Sequence, residues 1–293
     1  MVACIDWRLP YPYTKHRMTR LRSPCFARSA WLLAASLLAA PALAQTHRAC
    51  TQLIASGNPE YPPFLWVGHD DERTLQGANA ELMQLLSREI GIPIVMRNAG
   101  PWARVQEAAK AGRIDLIAGA FYTLPRRLYM SYIQTPFYQT RSAVWTRENK
   151  ALAYSKWADL VGRNGITVVN NSFGEEFDRF AEQRLTMQTV GSVENAMRML
   201  SMGRADYLIY EEAPGQAYAN KLGIRNIRVA NTPVSREPLY LTLTHQSPCF
   251  SPQLYDKLNK AMKKLVDSNV MEQLVASHSE RWQTLQEEQL EIR

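Results

Sequence analysis

The stretch Gly112-Arg113-Ile114-Asp115-Leu116-Ile117 recurs as Gly203-Arg204-Ala205-Asp206-Tyr207-Leu208-Ile209 later in the same chain of 293 residues. In both copies an amphipathic stretch precedes the glycine and an apolar run follows the aspartate. Glycine adopts the left-handed conformation that ends a helix, and aspartate favours the turn into a buried strand. The repeat therefore predicts two lobes built on one helix-to-strand plan.

Helix and strand patterns alternate around the first copy. Residues 80–90 place their apolar side chains on one helical face, and a glycine and a proline follow. Residues 92–96 have the pattern of a strand, and residues 102–111 that of a second helix behind Pro101. Such alternation predicts βα units around a mostly parallel sheet.

Two short segments separate the sets of elements, Thr135-Pro136-Phe137-Tyr138 and residues 231–235. If the chain leaves lobe one and returns to it, these segments are the crossings, and two adjacent crossings form a hinge. The predicted fold is α/β with two lobes, each a mostly parallel sheet flanked by helices, and a two-stranded hinge. Lobe one is expected at residues 45–138 plus 234–293, and lobe two at 139–233.

The N-terminal region has the three parts of a secretory signal peptide. Several arginines precede an uncharged apolar run at residues 30–40, and Ala42-Leu43-Ala44 follows it. A membrane-spanning helix is the alternative, but it needs about 20 apolar residues. We therefore expect a signal peptide at residues 1–44, cleavage between Ala44 and Gln45, and a periplasmic location.

The first 17 residues are irregular, and Met18 would start a signal peptide of ordinary proportions, so we expect Met18 to be the true start. Residues 1–44 contain six of the 34 Lys and Arg residues and one of the 27 acidic residues. The mature chain is therefore nearly neutral in charge, which argues against nucleic acid as a partner.

Cys50 and Cys249 are the two cysteines that remain after residue 44. A pair of cysteines in an oxidising compartment predicts a disulfide, with two free buried thiols as the alternative. The histidines are scattered without metal-ligand spacing, and no phosphate-binding loop or nucleophile elbow is present. We therefore expect no metal, no cofactor and no catalytic residue.

The order of several short motifs resembles the family 3 extracellular solute-binding proteins. These motifs are Asn58-Pro59-Glu60-Tyr61-Pro62-Pro63-Phe64, then Trp102 before the first repeat copy, then Thr123-Leu124-Pro125-Arg126, then residues 135–138, and C-terminal helices ending near Trp282. The resemblance implies the type II periplasmic-binding fold and a monomer. It also implies a small-molecule ligand held between the lobes and delivered to a membrane ABC permease for polar amino acids.

The resemblance also implies a set of site residues. The arginine of the Thr-x-x-Arg motif, here Arg126, would take a ligand carboxylate with its planar fork. Glu211 would take an ammonium group, and Tyr61 and Trp102 would sandwich the ligand. Ser172 stands between a strand and a helix, where a hydroxyl and a helix N-terminus suit an anion. The expected ligand-binding residues are Asn58, Tyr61, Trp102, Phe121, Arg126, Ser172 and Glu211.

Structural explanations remain open for three of them. Arg126 would also be explained by an ion pair with a surface acid. Glu211 would also be explained by the favourable position of an acid at a helix N-terminus, and Trp102 by packing in the core.

The sequence departs from the family pattern at three places. Ala118-Gly119-Ala120-Phe121-Tyr122 stands where hydroxyl residues are usual, Asn171-Ser172-Phe173 replaces Gly-Ser/Thr-Thr, and Gly77-Ala78-Asn79 replaces Gly-Phe-Asp. The pocket is thereby expected to have fewer hydroxyl groups and more aromatic surface. We therefore expect an amino-acid-like or aromatic carboxylate ligand. Two alternatives stay open. One is a cyclohexadienyl dehydratase-like enzyme that uses Glu211 or Glu60 as its acid, and the other is a ligand sensor for a membrane receptor.

Overall fold

The computed structural model describes residues 50–68 and 70–291. The predicted signal peptide, its cleavage site and the alternative start at Met18 lie outside these residues.

Within the described residues the chain forms twelve strands and seven α-helices. The strands are β1 (Leu53–Ser56), β2 (Glu60–Tyr61), β3 (Leu65–Val67), β4 (Leu75–Gln76), β5 (Ile94–Met96), β6 (Leu116–Phe121), β7 (Met130–Tyr132), β8 (Tyr138–Arg147), β9 (Asn164–Val168), β10 (Thr186–Val190), β11 (Tyr207–Glu211) and β12 (Ile227–Thr244). The helices are α1 (Ala78–Ile90), α2 (Trp102–Lys110), α3 (Glu175–Arg184), α4 (Val193–Ser201), α5 (Glu212–Lys221), α6 (Pro252–Asp267) and α7 (Val270–Glu291).

The main sheet has the strand order β10-β9-β11-β8-β12-β6-β1-β5, and β7 pairs with β12. One parallel group contains β6, β1 and β5, and the other contains β10, β9 and β11. The long strands β8 and β12 lie between the groups and pair antiparallel with each other and with both groups. The predicted two-lobed α/β fold with a two-stranded connection is confirmed. The sheets of the two lobes are joined by β8 and β12 into one continuous sheet.

We call β1–β7, α1, α2, α6 and α7 lobe one, and β9–β11 with α3–α5 lobe two. The predicted boundaries at residues 138 and 234 fall at the start of β8 and inside β12 and stay a prediction. The pairing of β12 with β8 is irregular between Val229 and Pro233 and between Pro233 and Ser235. This irregularity coincides with the predicted crossing at residues 231–235.

Each repeat copy ends a helix in the same way. Gly112 and Gly203 have φ angles of 65° and 78°, in the left-handed region. The residue after each glycine donates its N–H back into the helix, from Arg113 to the Ala108 carbonyl and from Arg204 to the Met199 carbonyl, both at 2.9 Å. This pattern of hydrogen bonds is the helix ending that the sequence predicts.

The aspartate of each copy joins its strand to the neighbouring parallel strand. The Asp115 carboxylate accepts the N–H of Ile54 at 2.6 Å, and the Asp206 carboxylate accepts the N–H of Asn164 at 3.0 Å. Asp115 also accepts the hydroxyl of Ser247. Asp115 is buried, whereas the Asp206 side chain is 27% exposed. The repeated Gly-Arg-x-Asp pattern is thus a device that ends a helix and aligns two strands.

Separate hydrophobic clusters support the two lobes. In lobe one, Leu82, Met83 and Leu86 of α1 are buried against the sheet and against α6 and α7. In lobe two, Met197 and Leu200 of α4 pack with residues of β9 and β11. These helices bury the apolar stripe that their sequences predict.

Cys50 and Cys249 form a disulfide, which confirms the predicted pairing. It ties the segment before β1 to the segment before α6. Helix α7 extends to Glu291, past Trp282, near which the C-terminal helices are expected to end. Beyond residue 277 its surface is mostly polar, and Trp282 packs against Trp66 and Tyr218 with ring centroids 5.4 and 6.2 Å apart.

We expect the two repeat aspartates to contribute unequally to stability. Asp115→Ala leaves the Ile54 N–H and the Ser247 hydroxyl without their acceptor in a buried site, so the free energy of unfolding should fall by about 3 kcal/mol. The matched Asp206→Ala change acts at a partly exposed site and should lower it by about 1 kcal/mol. Urea unfolding measures both values, and equal losses would contradict this explanation by burial.

Candidate ligand-binding cleft

A cavity lies between the lobes, where several strands end. Phe121 and Glu211 are the last residues of β6 and β11, and Trp102 is the first residue of α2. The void volume of the cavity, including its open mouth, is about 370 Å³. In open α/β sheets, ligands bind in the crevice beyond the carboxyl ends of the strands. The cavity is lined by Asn58, Tyr61, Leu65, Trp102, Ala118, Gly119, Ala120, Phe121, Arg126, Asn171, Ser172, Glu211 and Leu239.

All seven residues predicted from the sequence as ligand contacts line this one cavity. Ser172 and Glu211 come from lobe two, and the other five come from lobe one. Their binding of a ligand stays a prediction. The structure shows that residues as far apart in sequence as Asn58 and Glu211 share a single site.

Arg126 opens a short 3₁₀ turn, Arg126–Leu128, and its side chain points inward. It is only 6% exposed, so it is not part of a surface ion pair. Its Nη1 donates to the Phe121 carbonyl at 3.1 Å, and its Nη2 donates to the Asn170 carbonyl at 3.2 Å. The guanidinium lies 5.3 Å from the centroid of the Trp102 ring. No carboxylate of the described residues lies within 4 Å of it, so its charge is available to an anion.

The Asn170 carbonyl of lobe two receives hydrogen bonds from three side chains of lobe one. Trp102 Nε1 donates at 3.1 Å, and Gln106 Nε2 and Arg126 Nη2 donate at 3.2 Å. Asn170 has a φ angle of 60°, which turns its carbonyl toward lobe one at the end of the strand β9. We call this set of bonds the Asn170 contact. It holds the lobes together beside the cavity.

Glu60 makes a second contact between the lobes. Its carboxylate accepts the N–H of Val193 at the start of α4, and its carbonyl accepts the hydroxyl of Tyr210 at 3.0 Å. The side chain of Asn58 accepts the N–H of Glu60 at 3.0 Å. Asn58 therefore shapes the loop that carries both Glu60 and Tyr61, in addition to lining the cavity.

Glu211 is a buried acid at the end of β11. It is 3% exposed, and its Oε2 accepts no hydrogen bond from any described residue. Burial raises the pKa of Glu211 to about 7 and outweighs three smaller effects that lower it: its own backbone N–H, the positive charge of Arg126 and the side chain of Asn171. A carboxyl group in this setting is neutral for part of the time at physiological pH.

Further polar atoms of the cavity wall lack partners among the described residues. These atoms are the Tyr61 hydroxyl and the Asn171 Nδ2. Tyr61 is buried, and its ring lies 5.0 Å from that of Phe64. Buried polar groups are normally hydrogen-bonded, so such atoms around one cavity indicate a site built for a polar ligand.

Ser172 lines the cavity, but its hydroxyl donates to the carboxylate of Asp178 on α3. The same carboxylate accepts the N–H of Phe173 at 2.8 Å. The start of α3 thus already holds an anionic side chain. Ser172 can still offer its oxygen as an acceptor, and its predicted contact with a ligand anion stays a prediction.

Sequence reasoning missed the roles of Gln106, Asn170 and Asn171. Gln106 lies four residues after Trp102, so both face the same side of α2. That spacing is the one signal that could have indicated Gln106. The backbone carbonyl of Asn170 leaves no sequence signal.

The sequence profile of the bacterial extracellular solute-binding proteins, family 3, matches residues 53–281. The chain belongs to this family. The match spans both lobes and all of the cavity-lining residues. No curated protein gives a significant sequence match.

Solved structures with this fold resemble this family 3 protein at low sequence identity. A histidine kinase sensor domain with similarity to periplasmic binding proteins has a TM-score of 0.65 and 20% identity, over 79% of this chain and 96% of that one. The substrate-binding protein AbpA from Streptococcus pneumoniae, bound to L-arginine, has a TM-score of 0.64 and 18% identity, over 79% and 96%. An ancestral arginine-binding protein bound to glutamine has a TM-score of 0.63 and 17% identity, over 79% and 97%.

In the described part of this family 3 protein, no cluster of three or more His, Cys, Asp or Glu residues suits a metal ion. None of the helices there is long and apolar enough to cross a membrane.

We expect the Asn170 contact of this family 3 protein to set how readily the lobes separate. The double change Trp102→Phe and Gln106→Leu removes two of its three donors, at about 1 kcal/mol each. Small-angle scattering without ligand should then show a larger radius of gyration. Tyr255→Phe is the control, because it removes a hydrogen bond to the Tyr132 carbonyl within lobe one, away from the cavity and the crossings. An unchanged radius in the double variant would contradict this role.

We also expect Glu211→Gln to stabilise the ligand-free protein in a pH-dependent way. The folded-state pKa of Glu211, about 7, lies above the ordinary value of 4.5 for a glutamate. The wild type therefore loses stability as pH rises from 4.5 to 7, and the loss is complete above that range. The variant lacks this loss. It should gain about 3 kcal/mol at pH 8 and little at pH 4. Chemical unfolding at both pH values tests this, and equal effects would contradict it.

Proposed function

We propose that this chain is a periplasmic solute-binding protein that closes its two lobes on a small amino-acid-like carboxylate and presents it to a membrane ABC permease. One observation carries the proposal. A buried arginine of lobe one and a buried glutamate of lobe two, Arg126 and Glu211, line the same cavity without pairing with each other.

These two groups suit the two charges of an amino acid. Arginine's planar guanidinium binds a carboxylate through two parallel hydrogen bonds. Glu211 offers the unpartnered Oε2 to an ammonium group. Each charge is buried, so contact with a ligand group of opposite charge is stronger than it would be in water. A ligand that bridges both groups would favour the closed arrangement of the lobes.

The rest of the cavity wall favours a compact ligand with an apolar part. Ala118, Gly119 and Ala120 offer no polar side-chain atoms, while Tyr61 and Trp102 add aromatic surface. An amino acid with an apolar or amphipathic side chain fits this composition.

Export through a signal peptide at residues 1–44 would place the protein in the periplasm, in keeping with an extracellular family. The similarity to a histidine kinase sensor domain supports a second candidate, in which the same ligand-bound form reports to a membrane receptor. For the dehydratase-like alternative, the cavity-lining residues supply one carboxyl group, Glu211. Glu60 does not line the cavity, because its carboxylate accepts the Val193 N–H instead.

We expect at least one L-amino acid to raise the melting temperature of the mature protein in a thermal-shift screen that includes L-arginine, L-glutamine and the aromatic amino acids. Stabilisation reaches about 4 kcal/mol at 1,000 times the Kd. Arg126→Ala should abolish the shift, and Arg126→Lys should reduce it, because lysine lacks the planar fork.

Arg127→Ala is the control, since Arg127 is exposed and donates to the Tyr122 hydroxyl outside the cavity. Equal shifts in wild type and Arg126→Ala would show that Arg126 does not bind the carboxylate. The absence of any shift across the twenty standard amino acids would contradict the proposed ligand class.

A further inference from the structure

The Glu211 carboxyl has an unusual environment for an acid. It is 3% exposed, and no Lys, Arg or His side chain of the described residues lies within 4 Å of it. Both terminal nitrogens of Arg126 are engaged by backbone carbonyls, those of Phe121 and Asn170. An ionised carboxylate that is buried without a counter-charge is much less stable than one in water.

The groups around Glu211 do not supply that counter-charge. Tyr61 faces it from β2, and Tyr210 precedes it on β11; both are buried phenols whose pKa is raised mainly by burial and next by the charge of Glu211. From β8, the residue paired with Glu211 is Ser142, which is uncharged.

Among the described residues, the other elements packed around Glu211 add no unpaired cation either. Asn171, from the loop after β9, is neutral, and Glu212 at the start of α5 is paired with Arg141 of β8. Glu60 of β2 carries a further acid, but its carboxylate is used by the Val193 N–H. The backbone N–H of Glu211, the charge of Arg126 and the Asn171 side chain favour ionisation of Glu211, but the effect of burial is larger.

We infer that Glu211 is a neutral acid in the ligand-free cleft and gives up its proton when the ammonium group of a ligand enters, so that capture is coupled to proton release. The proton passes from the Glu211 carboxyl to the solvent, and the carboxylate that remains pairs with the ammonium. This inference rests on the proposed function, and it adds that the surrounding pH regulates affinity.

The sign of the coupling follows from which form binds. The ionised form of Glu211 pairs with an ammonium group, and the raised pKa of about 7 keeps the ionised form scarce in the free protein at acidic pH. Affinity should therefore fall as pH falls through 7 and be constant well above 7. Between pH 8 and pH 6 the Kd should increase about tenfold, with release of about one proton per ligand at pH 6 and almost none at pH 8.

Isothermal titration calorimetry tests this with L-arginine, L-glutamine and the amino acid that gives the largest thermal shift. Each titration of the mature wild-type protein is made at pH 6 and pH 8, in two buffers of different ionisation enthalpy, so that released protons are counted directly. Glu211→Gln should show weaker binding at pH 8, no proton release and the same Kd at both pH values.

Glu237→Gln is the matched control. Burial, with the nearby Asp178 and Glu176, raises the pKa of Glu237 to about 7 as well, but Glu237 does not line the cavity. This variant should keep the tenfold change of Kd and the proton release. Suppose that Glu237→Gln abolishes the change of Kd and the proton release, and that Glu211→Gln keeps them. Proton release would then come from Glu237, and the inference would be overturned.

The other outcomes separate this inference from the proposed function. Binding with one Kd at pH 6 and pH 8 and no proton release overturns the coupling and leaves the ligand class standing. Tighter binding at pH 6 than at pH 8 also overturns it, because a neutral Glu211 would then be the form that binds. Failure of every amino acid to bind at pH 8 overturns the proposed function and this inference together.

Discussion

The pairing of β8 with β12 is the constraint on which the rest of the structure depends. These two strands connect the parallel groups of the sheet, because β8 pairs with β11 on one side and β12 pairs with β6 on the other. Each lobe has its own hydrophobic cluster, and the two lobes share this pair of strands. The pairing near Pro233 is irregular, and such irregularities let strands bend. Bending there would open or close the cavity without disturbing either cluster.

The cavity between the lobes contains two buried ionisable groups, Arg126 and Glu211, that do not pair with each other. Arg126 bonds to backbone carbonyls, one of them across the cleft, and Glu211 keeps an oxygen without a partner among the described residues. The Asn170 contact has three donors for one carbonyl oxygen, so Trp102 and Gln106 can hold it while Arg126 turns to a ligand. The same low-dielectric setting that makes a lone Glu211 carboxylate unfavourable strengthens its pairing with an ammonium group. Selectivity, closure and sensitivity to pH would then have one physical origin.

Much of the fold could be predicted from the sequence because short local patterns of residues determine where its helices and strands begin and end. The Gly-Arg-x-Asp repeat indicates two equivalent helix-to-strand junctions, and both appear with matching hydrogen bonds. The seven expected contact residues share a cavity because strand ends on one edge of a sheet converge.

The sequence does not predict hydrogen bonds made by backbone carbonyls or contacts between residues that are distant along the chain. The carbonyl of Asn170 leaves no signal, Gln106 has the character of a solvent-facing residue, and the environment of Glu237 depends on residues of α3 about 60 positions away in sequence. Helix α7 continues past its expected end near Trp282, because its later turns are mostly polar and lack the apolar pattern that predicts a helix.

A crystal structure of the mature protein with its highest-affinity amino acid would show which groups hold the ligand. We predict that the ligand carboxylate lies on the guanidinium of Arg126 and that its ammonium group lies within hydrogen-bonding distance of Glu211 Oε2. Trp102 and Gln106 should still donate to the Asn170 carbonyl. A ligand bound outside this cavity, or bound inside it with its ammonium group away from Glu211, would contradict the account.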